Sequence, residues 1–370
     1  FERSIALMES GADNWEKKTY LPMYDYVHFY EGYEETDLPE DFFSSDYYID
    51  RMKEYIAADR GKRRKPFFAY VSLQAQHYPL QAPQELIDKY ARVYDVGWDE
   101  VRRRRYERQV ELGVMPAGLK MQPIANAPPW NSLSAEERRM QAKKMAVYAA
   151  MLHNVDANLG RLMSYLKEIG EADNTMILFV TDNGADNNEQ DKVFPDWYAA
   201  NFDLSYERMG LRGSYVNYGP GWAGASSAPL HLFKASASEG GMRVPLIVSW
   251  PAGARRGVTT GAFAYVSDIT PTLLELAGAK APSGAYGGRE VHPITGKSMV
   301  RLLRGKTDHV HGPDDAVAYE LAGSAAVFRG EYKLMRNNPP FGDKKWRLYR
   351  ITEDPTESND LSEEQPQIRA

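Results

Sequence analysis

The chain has 370 residues, of which 43 % are hydrophobic and 12 % aromatic, and its formal net charge is −6 at pH 7. This length suffices for one large core, or for a large domain with a small one. The charge argues against nucleic-acid binding, which needs a clustered positive face, and no apolar run approaches the ~20 residues that span a bilayer. The absence of cysteine excludes disulfides, thiolate metal sites and cysteine nucleophiles within these residues.

Three segments open the chain. Residues 1–45 show little periodicity and predict loops over a surface. Residues 46–58 predict a helix, because apolar side chains recur at helical spacing. Residues 66–73 (PFFAYVSL) form a short apolar run between polar segments. Such a run is typical of a strand buried on both faces of a parallel sheet.

The middle of the chain predicts an insertion followed by a long helix. Residues 91–133 carry charge runs, and the four arginines at 102–105 are interpreted as a solvated helix or insertion surface. Ser134 and Glu137 form a capping box. The helix that begins there is expected to end at Gly170. Because the helix is long, a kink or a break inside it is compatible with this prediction.

Two further buried strands are predicted, one at residues 175–180 directly after the long helix and one at residues 244–249, and residues 268–277 predict another helix. Strands separated by helices predict an α/β fold, with a mostly parallel sheet flanked by helices. Short alternating segments at the end of the chain predict a small C-terminal antiparallel α+β subdomain. We therefore divide the chain into a catalytic domain, residues 1–307, and a subdomain, residues 308–370.

Polar side chains follow or precede these strands, where ligands bind in open α/β sheets. Asp182 and Asn183 end a buried strand; they could form an ordinary Asx-Gly turn or supply oxygens to Ca²⁺ or, less favourably, Mg²⁺. His77 could cap a turn or act as a general acid. Lys234 could be a core lysine whose amine reaches the surface, or a fixed positive charge for an anionic substrate. Each residue alone favours the structural interpretation.

Several segments in order resemble the sulfatase family, which has the alkaline-phosphatase-like fold, and in particular bacterial arylsulfatases. The matching segments cover nearly the whole chain: PFFAYVSLQAQHYPLQAP, HNVDANLGRLMSYLKEIG, TMILFVTDNGAD, LHLFKASASEGGMRVPLIVSWPAG, DITPTLLELAG and LYRITEDPTESNDLS. Single pieces such as TDNG are weak, but their shared order is specific.

The resemblance implies a role for each candidate. Asp182 and Asn183 look like Ca²⁺ ligands, with Asn183 also near the substrate. His77 looks like the residue that holds a sulfate oxygen and protonates the departing alcohol, and Lys234 like the residue that bridges the sulfate and leaving oxygens. The EGGMRVP stretch looks like fold support, with Arg243 structural. The implied substrate is a small sulfate ester, aryl or sugar.

The sequence also departs from the family pattern. It lacks the early Asp-Asp pair of the Ca²⁺ site, the Lys-x-His element, and the C/S-x-P-x-R segment whose first residue becomes the formylglycine nucleophile. We therefore expect an N-terminally truncated chain, inactive alone, from a parent enzyme in the periplasm or cytoplasm of a bacterium. A phosphate or phosphonate monoester hydrolase of the same fold, or a non-catalytic binding protein, remains an alternative. The loop around Trp222 could line the pocket or pack against the fold.

Overall fold

The computed structural model describes residues 1–9, 11–60 and 65–369, except for the side chains of Asp59 and Arg60. The chain divides into two compact units, each formed by segments distant in sequence. The first unit comprises Phe1–Arg102, Ile124–Ala172 and Asp186–Ser226. The second comprises Arg103–Pro123, Asp173–Ala185 and Ser227–Ala370. The boundary predicted near residue 308 stays a prediction.

Helices and strands alternate irregularly along the chain, with strands short throughout. The α-helices are α1 (Ser44–Arg60), α2 (Gln84–Lys89), α3 (Gly97–Glu111), α4 (Ala135–Glu168), α5 (Gln190–Val193), α6 (Pro195–Asn201), α7 (Gly219–Ser227), α8 (Glu239–Met242), α9 (Ile269–Leu276), α10 (Val300–Leu303) and α11 (Pro366–Arg369). The strands are β1 (Ile5–Leu7), β2 (Phe29–Glu31), β3 (Glu34–Thr36), β4 (Ile177–Val180), β5 (Leu246–Ser249), β6 (Ala285–Tyr286), β7 (Arg289–Glu290), β8 (Ala316–Leu321), β9 (Ser324–Arg329), β10 (Tyr332–Arg336) and β11 (Arg347–Arg350). Among the described residues, no helix combines the length and apolarity needed to cross a bilayer.

The α/β class is confirmed, and so are the elements with strong local signals. Helix α4 runs for 34 residues without a break. At its start, the Glu137 carboxylate accepts the Ser134 N–H at 2.8 Å, and Ser134 Oγ accepts the Glu137 N–H at 3.2 Å. Gly170 lies just beyond its end with φ +73, a conformation that suits glycine and ends helices. Helices α1 and α9 also lie where the sequence predicts them.

The small C-terminal antiparallel sheet is confirmed as well. Its strands are ordered β11-β10-β9-β8, and every neighbouring pair is antiparallel. Alternate residues of β9 and β10 are buried, as expected when one face of a sheet covers a core. Ala326, Phe328 and Met335 from this face form a cluster with Ala237. The sheet therefore packs against the segment that contains Lys234.

The strand predicted at residues 66–73 is wrong. This segment joins no ladder, and Phe67, Phe68 and Tyr70 are 41 %, 62 % and 69 % exposed. Val71 and Leu73 do pack against a core cluster of the first unit. An apolar run becomes a buried strand when neighbouring strands form hydrogen bonds with its backbone N–H and C=O groups. Among the described residues of this unit, no strand pairs with residues 66–73.

The predicted parallel pairing is also not found in the named ladders of the described residues. Strands β4 and β5 form at the predicted places but pair with each other antiparallel, with Ile177 opposite Ser249 and Val180 opposite Leu246. An apolar run does not encode the direction of its partner, because both ladder types use the same backbone groups. This pairing places the end of β4 beside the start of β5.

The prediction of loops alone at residues 1–45 is wrong in part. Strands β1, β2 and β3 form an antiparallel sheet there, in the order β1-β2-β3. Each has only three residues, which is too short for a period-two pattern to stand out in the sequence. Phe29 of β2 is fully buried in the core of the first unit.

Candidate active site

The turn that follows β4 carries Asp182 and Asn183. The Asp182 side chain is exposed, and its Oδ1 accepts the Asn183 N–H at 3.0 Å. The Asn183 side chain donates from Nδ2 to the Gly184 carbonyl oxygen at 2.8 Å. The amide nitrogen of Asn183 thus donates a hydrogen bond within the turn. The amide oxygen of Asn183 and the carboxylate of Asp182 are oxygen ligands of the kind that a hard cation prefers.

Backbone hydrogen bonds join this turn to the loop that carries Lys234. The Lys234 N–H donates to the Ala185 carbonyl at 2.9 Å, and the Gly184 N–H donates to the Gly241 carbonyl at 2.9 Å. The approach is so close that a Cβ at position 184 would lie 1.8 Å from the Gly240 oxygen. The structure thus brings the predicted residues Asp182, Asn183 and Lys234 into one region of the second unit.

The Lys234 loop, residues 232–241, has a constrained backbone. Leu232 and Ala235 flank the lysine with φ of +60 and +67. Non-glycine residues adopt this left-handed conformation rarely and at a cost, so the surrounding structure must impose it. A Cβ at Gly240 would lie 2.2 Å from the Leu232 oxygen. The glycines of the EGG motif therefore let the backbone of α8 pack directly against the backbone at Leu232, two residues before Lys234.

A buried ion cluster ties this loop to the C-terminal sheet. Lys333 of β10 has a side chain with no exposed surface, and its Nζ lies 2.8 Å from Oε1 of both Glu239 and Glu357. Glu357 Oε1 also accepts the Glu239 N–H at 3.2 Å. The imidazole of His231 lies 3.7 Å from the other Glu357 oxygen, and Arg243 lies 3.5 Å from Glu239.

The charges in this cluster compensate one another. Burial alone would lower the pKa of Lys333, but the negative charges of Glu239 and Glu357 raise it. Burial alone would raise the pKa of Glu357, but Lys333 and His231 lower it. The ion cluster thus favours the ionised form of Glu357, and Arg243 takes a structural part in the cluster through Glu239.

His77 lies in the first unit, on a loop that follows the unpaired segment at residues 66–73. Its Nδ1 is 2.9 Å from the Tyr78 carbonyl oxygen and 3.2 Å from the Tyr20 hydroxyl. Its Nε2 lies 3.4 Å from Oδ2 of Asp186. The imidazole is 36 % exposed and the Asp186 side chain 9 %. The ring is therefore oriented by protein groups yet remains accessible from one side.

Gln81 fixes the far end of the His77 loop. Its amide donates to Asp13 Oδ2 at 2.6 Å and to the Ser214 carbonyl at 3.0 Å, and its Oε1 accepts the Asn14 N–H at 2.8 Å. Burial raises the pKa of Asp13 to about 6, although the bonds from Gln81 and the Trp15 amide lower it.

Trp222 does not line an open pocket. It lies in helix α7 with no exposed surface, and its indole donates to the Gln141 carbonyl at 2.8 Å. Trp98 and Trp130 meet it edge to face, each with ring centroids 5.7 Å away. Of the two interpretations open for this loop, the structure supports packing.

The oxygens of Asp182 and Asn183 suit Ca²⁺ in kind but not in number. Across residues 1–9, 11–60 and 65–369, no three His, Cys, Asp or Glu side chains group closely enough to hold a metal ion. Ca²⁺ takes roughly 6–8 oxygen ligands. The two residues fit one part of such a shell, and further ligands would have to complete it.

Sequence reasoning missed Asp186, Lys333 and Glu357. Asp186 closes the TDNGAD segment, so its nearness to a strand end was a usable signal. Lys333 and Glu357 lie 94 and 118 positions from Glu239. No local pattern could have paired them.

Comparisons with known proteins identify related sequences across the chain. The family model described as Sulfatase matches residues 6–279, and the one described as N-sulphoglucosamine sulphohydrolase, C-terminal, matches residues 233–369. An uncharacterized sulfatase of Schizosaccharomyces pombe is 34 % identical over 100 % of this chain and 68 % of its own length. An arylsulfatase of Klebsiella aerogenes is 35 % identical over 83 % of this chain and 66 % of its own length. The chain thus spans about two thirds of these relatives.

Solved structures share the fold. The crystal structure of Ps i-CgsB in complex with k-i-k-neocarrahexaose has a TM-score of 0.59 and 20 % identity, covering 92 % of this chain and 55 % of that one. A second structure, a complex with its substrate D-glucosamine-2-N,6-O-disulfate, has a TM-score of 0.52 and 18 % identity, covering 96 % of this chain and 72 % of that one. At such identities the likeness is one of fold alone.

Proposed function

The chain belongs to the sulfatase family, and we propose that the protein hydrolyses a small sulfate ester to an alcohol or phenol and inorganic sulfate. The observation that carries the proposal is the junction of the Lys234 loop with the Asp182–Asn183 turn through paired backbone hydrogen bonds. Lys234 supplies a cationic side chain and the turn supplies hard oxygens for a metal cation, and both suit the binding of an anionic group with several oxygens.

Lys234 would bind the sulfate and oppose the negative charge that develops on the leaving oxygen. Such stabilisation works when the charge is held in place before the reaction. The left-handed backbone at Leu232 and Ala235, and the buried ion cluster that includes Glu239 of the same loop, support that rigidity. A surface lysine on a mobile loop would lose more side-chain entropy on binding.

His77 would protonate the leaving oxygen. As the oxygen–sulfur bond breaks, its electron pair stays on the oxygen, which takes a proton from Nε2. Nδ1 keeps its own hydrogen and donates it to the Tyr78 carbonyl oxygen, so the ring keeps its orientation while it changes charge.

We further propose Ca²⁺ as the cofactor, with Asp182 and Asn183 as ligands and Asn183 also near the substrate. When bound, the ion adds positive charge beside the sulfate oxygens. The nucleophile is proposed to be a formylglycine on a C/S-x-P-x-R segment, which the 370 residues do not contain. The substrate is proposed to be an aryl or sugar sulfate, in keeping with the arylsulfatase among the relatives.

The test uses the longest natural form of the protein. Peptide mass spectrometry should find a C/S-x-P-x-R peptide with its first residue as formylglycine. Sulfate release from p-nitrophenyl sulfate should exceed phosphate release from p-nitrophenyl phosphate and hydrolysis of a phosphonate monoester. A preference for either phosphorus ester, or hydrolysis of none of the three, would overturn the proposal.

A further inference from the structure

The two nitrogens of His77 contact different protein groups. The contact of Nδ1 bears on whether Nε2 carries a hydrogen. A carbonyl oxygen can only accept, so Nδ1, 2.9 Å from the Tyr78 oxygen, carries a hydrogen. A neutral ring would then turn the Nε2 lone pair towards the carboxylate of Asp186, 3.4 Å away. Two acceptors repel each other, whereas a hydrogen on Nε2 makes the contact a favourable ion pair.

Asp186 is a charged group that contacts the ring, whereas the two phenols near the ring are neutral. Burial raises the pKa of Tyr78 to about 12 and that of Tyr20 further above its ordinary value, so both phenols are neutral near pH 7. The Asp186 side chain is 9 % exposed, and its charge is therefore screened less by solvent than that of a surface carboxylate.

The length of the contact also matters. An N–H···O bond usually spans about 2.7–3.2 Å between heavy atoms, and the Nε2–Oδ2 distance is 3.4 Å. The Nε2 hydrogen is thus attracted but not tightly held. With 36 % of the imidazole exposed, a substrate oxygen can compete for that hydrogen from the open side of the ring.

We infer that Asp186 is a positioning residue for His77: its carboxylate attracts the Nε2 hydrogen and so holds the ring in the form that can protonate a leaving oxygen. The inference rests on the proposed function of His77 as general acid. The proton passes from Nε2 to the ester oxygen as the oxygen–sulfur bond breaks, and the ring is left neutral with its hydrogen on Nδ1.

Replacing Asp186 with Asn tests this directly. The amide has the same shape, but its NH₂ can donate to Nε2 and stabilise the ring without a hydrogen on that atom. The wrong tautomer cannot act as an acid. We expect Asp186→Asn to lower kcat/KM by about 10²-fold or more for alkyl or phenyl sulfates, a typical contribution of general acid catalysis. For p-nitrophenyl sulfate, whose leaving group needs little protonation, the loss should be a few-fold.

The matched control is Asp191→Asn, in helix α5 of the same unit. Its carboxylate accepts a hydrogen from the Asn217 amide. This variant should leave the dependence on the leaving group unchanged. In a His77→Gln background, Asp186→Asn should cause no further loss, because the two residues act as one unit. An equal loss for all esters, or an undiminished loss in the His77→Gln background, would overturn the inference.

A second measurement does not depend on turnover. In nitrogen–proton correlation spectra of the imidazoles, with His77→Gln identifying the signal, Asp186→Asn should move the Nε2 shift towards that of a nitrogen without hydrogen. Asp191→Asn should not. An unchanged shift would contradict the inference even if no sulfate ester were hydrolysed, whereas inactivity of the wild-type protein with the expected shift would overturn only the proposed function.

Discussion

Buried carboxylates hold both loops that carry predicted site residues, but they are balanced in different ways. At the Lys234 loop, Glu239 of the loop and Glu357 share the buried amine of Lys333. Beneath the His77 loop, Asp13 receives hydrogen bonds from Gln81 and the Trp15 amide, which carry no charge. Neutral donors offset the loss of solvation less completely than a cation does.

The two loops should therefore respond to pH in opposite directions. The pKa of Glu357 is lowered, so its contribution to stability is present above the ordinary value and is lost as the pH falls through the lower one. The pKa of Asp13 is raised to about 6, so its contribution is full below the ordinary value of 3.8 and is lost as the pH rises through 6.

The largest effect is expected for Lys333→Met. This change keeps the volume of the side chain but leaves the carboxylates of Glu239 and Glu357 buried without their cation. Breaking a buried ion pair in this way costs about 3–5 kcal/mol of unfolding free energy. Denaturant unfolding at pH 7 measures it. Lys345→Met, on an exposed side chain of the same unit, is the control, and an equal, small loss in both variants would refute the account of the ion cluster.

Asp13→Asn should change the pH profile of stability. The difference between the ordinary 3.8 and about 6 corresponds to about 3 kcal/mol, which the wild-type protein loses as the pH rises across that window. The variant cannot ionise, so its curve should lack this fall. Thermal melts between pH 4 and pH 7 measure the slopes. Asp41→Asn, at an exposed position, is the control, and an Asp13→Asn curve with the same slope as the wild-type curve would contradict the prediction.

Gly184→Ala probes the junction by sterics alone. The new Cβ would meet the Gly240 carbonyl, so one of the two backbone segments must move. Overpacking of this kind costs about 1–3 kcal/mol, and the displaced turn should also weaken ester hydrolysis. Gly160→Ala, in helix α4 where the Cβ meets nothing within 4 Å, should slightly stabilise the protein. Equal free energies of unfolding for the two variants would contradict the view that the close approach of Gly184 to the Gly240 carbonyl constrains the junction.

The smallest effect is expected for Glu107→Gln. This residue pairs with Arg103 one helical turn away, and both side chains are about half exposed. Exposed pairs of this spacing contribute about 0.3–0.5 kcal/mol. Denaturant unfolding should therefore show little change next to Lys333→Met. A loss above about 1 kcal/mol would mean that burial is not what separates the two pairs.

Local signals in the sequence predicted local structure well. The capping box of Ser134 and Glu137, and Gly170 at the other end, bounded α4 correctly because these contacts lie within a few residues of each other. The run at residues 66–73 misled because burial of a strand depends on partners far away in sequence. The same limit hid Lys333, whose pairing with Glu239 spans 94 positions.

The candidate site residues were predicted from the order of sequence motifs along the chain and not from their positions in space. Asp182, Asn183 and Lys234 were chosen from separate segments, and the antiparallel pairing of β4 with β5 explains why the two segments meet. That pairing was not predicted, since neither apolar run carries a direction. The role of His77 and its place relative to these residues stay predictions.

The most direct test of the proposed function is the rate of sulfate release by Lys234→Ala in the longest natural form of the protein. We predict that kcat/KM for p-nitrophenyl sulfate falls by about 10²–10³-fold, because a fixed charge that faces the transition state is removed. Lys306→Ala, on an exposed side chain, should leave it unchanged. Equal rates for the wild type and Lys234→Ala would contradict the account.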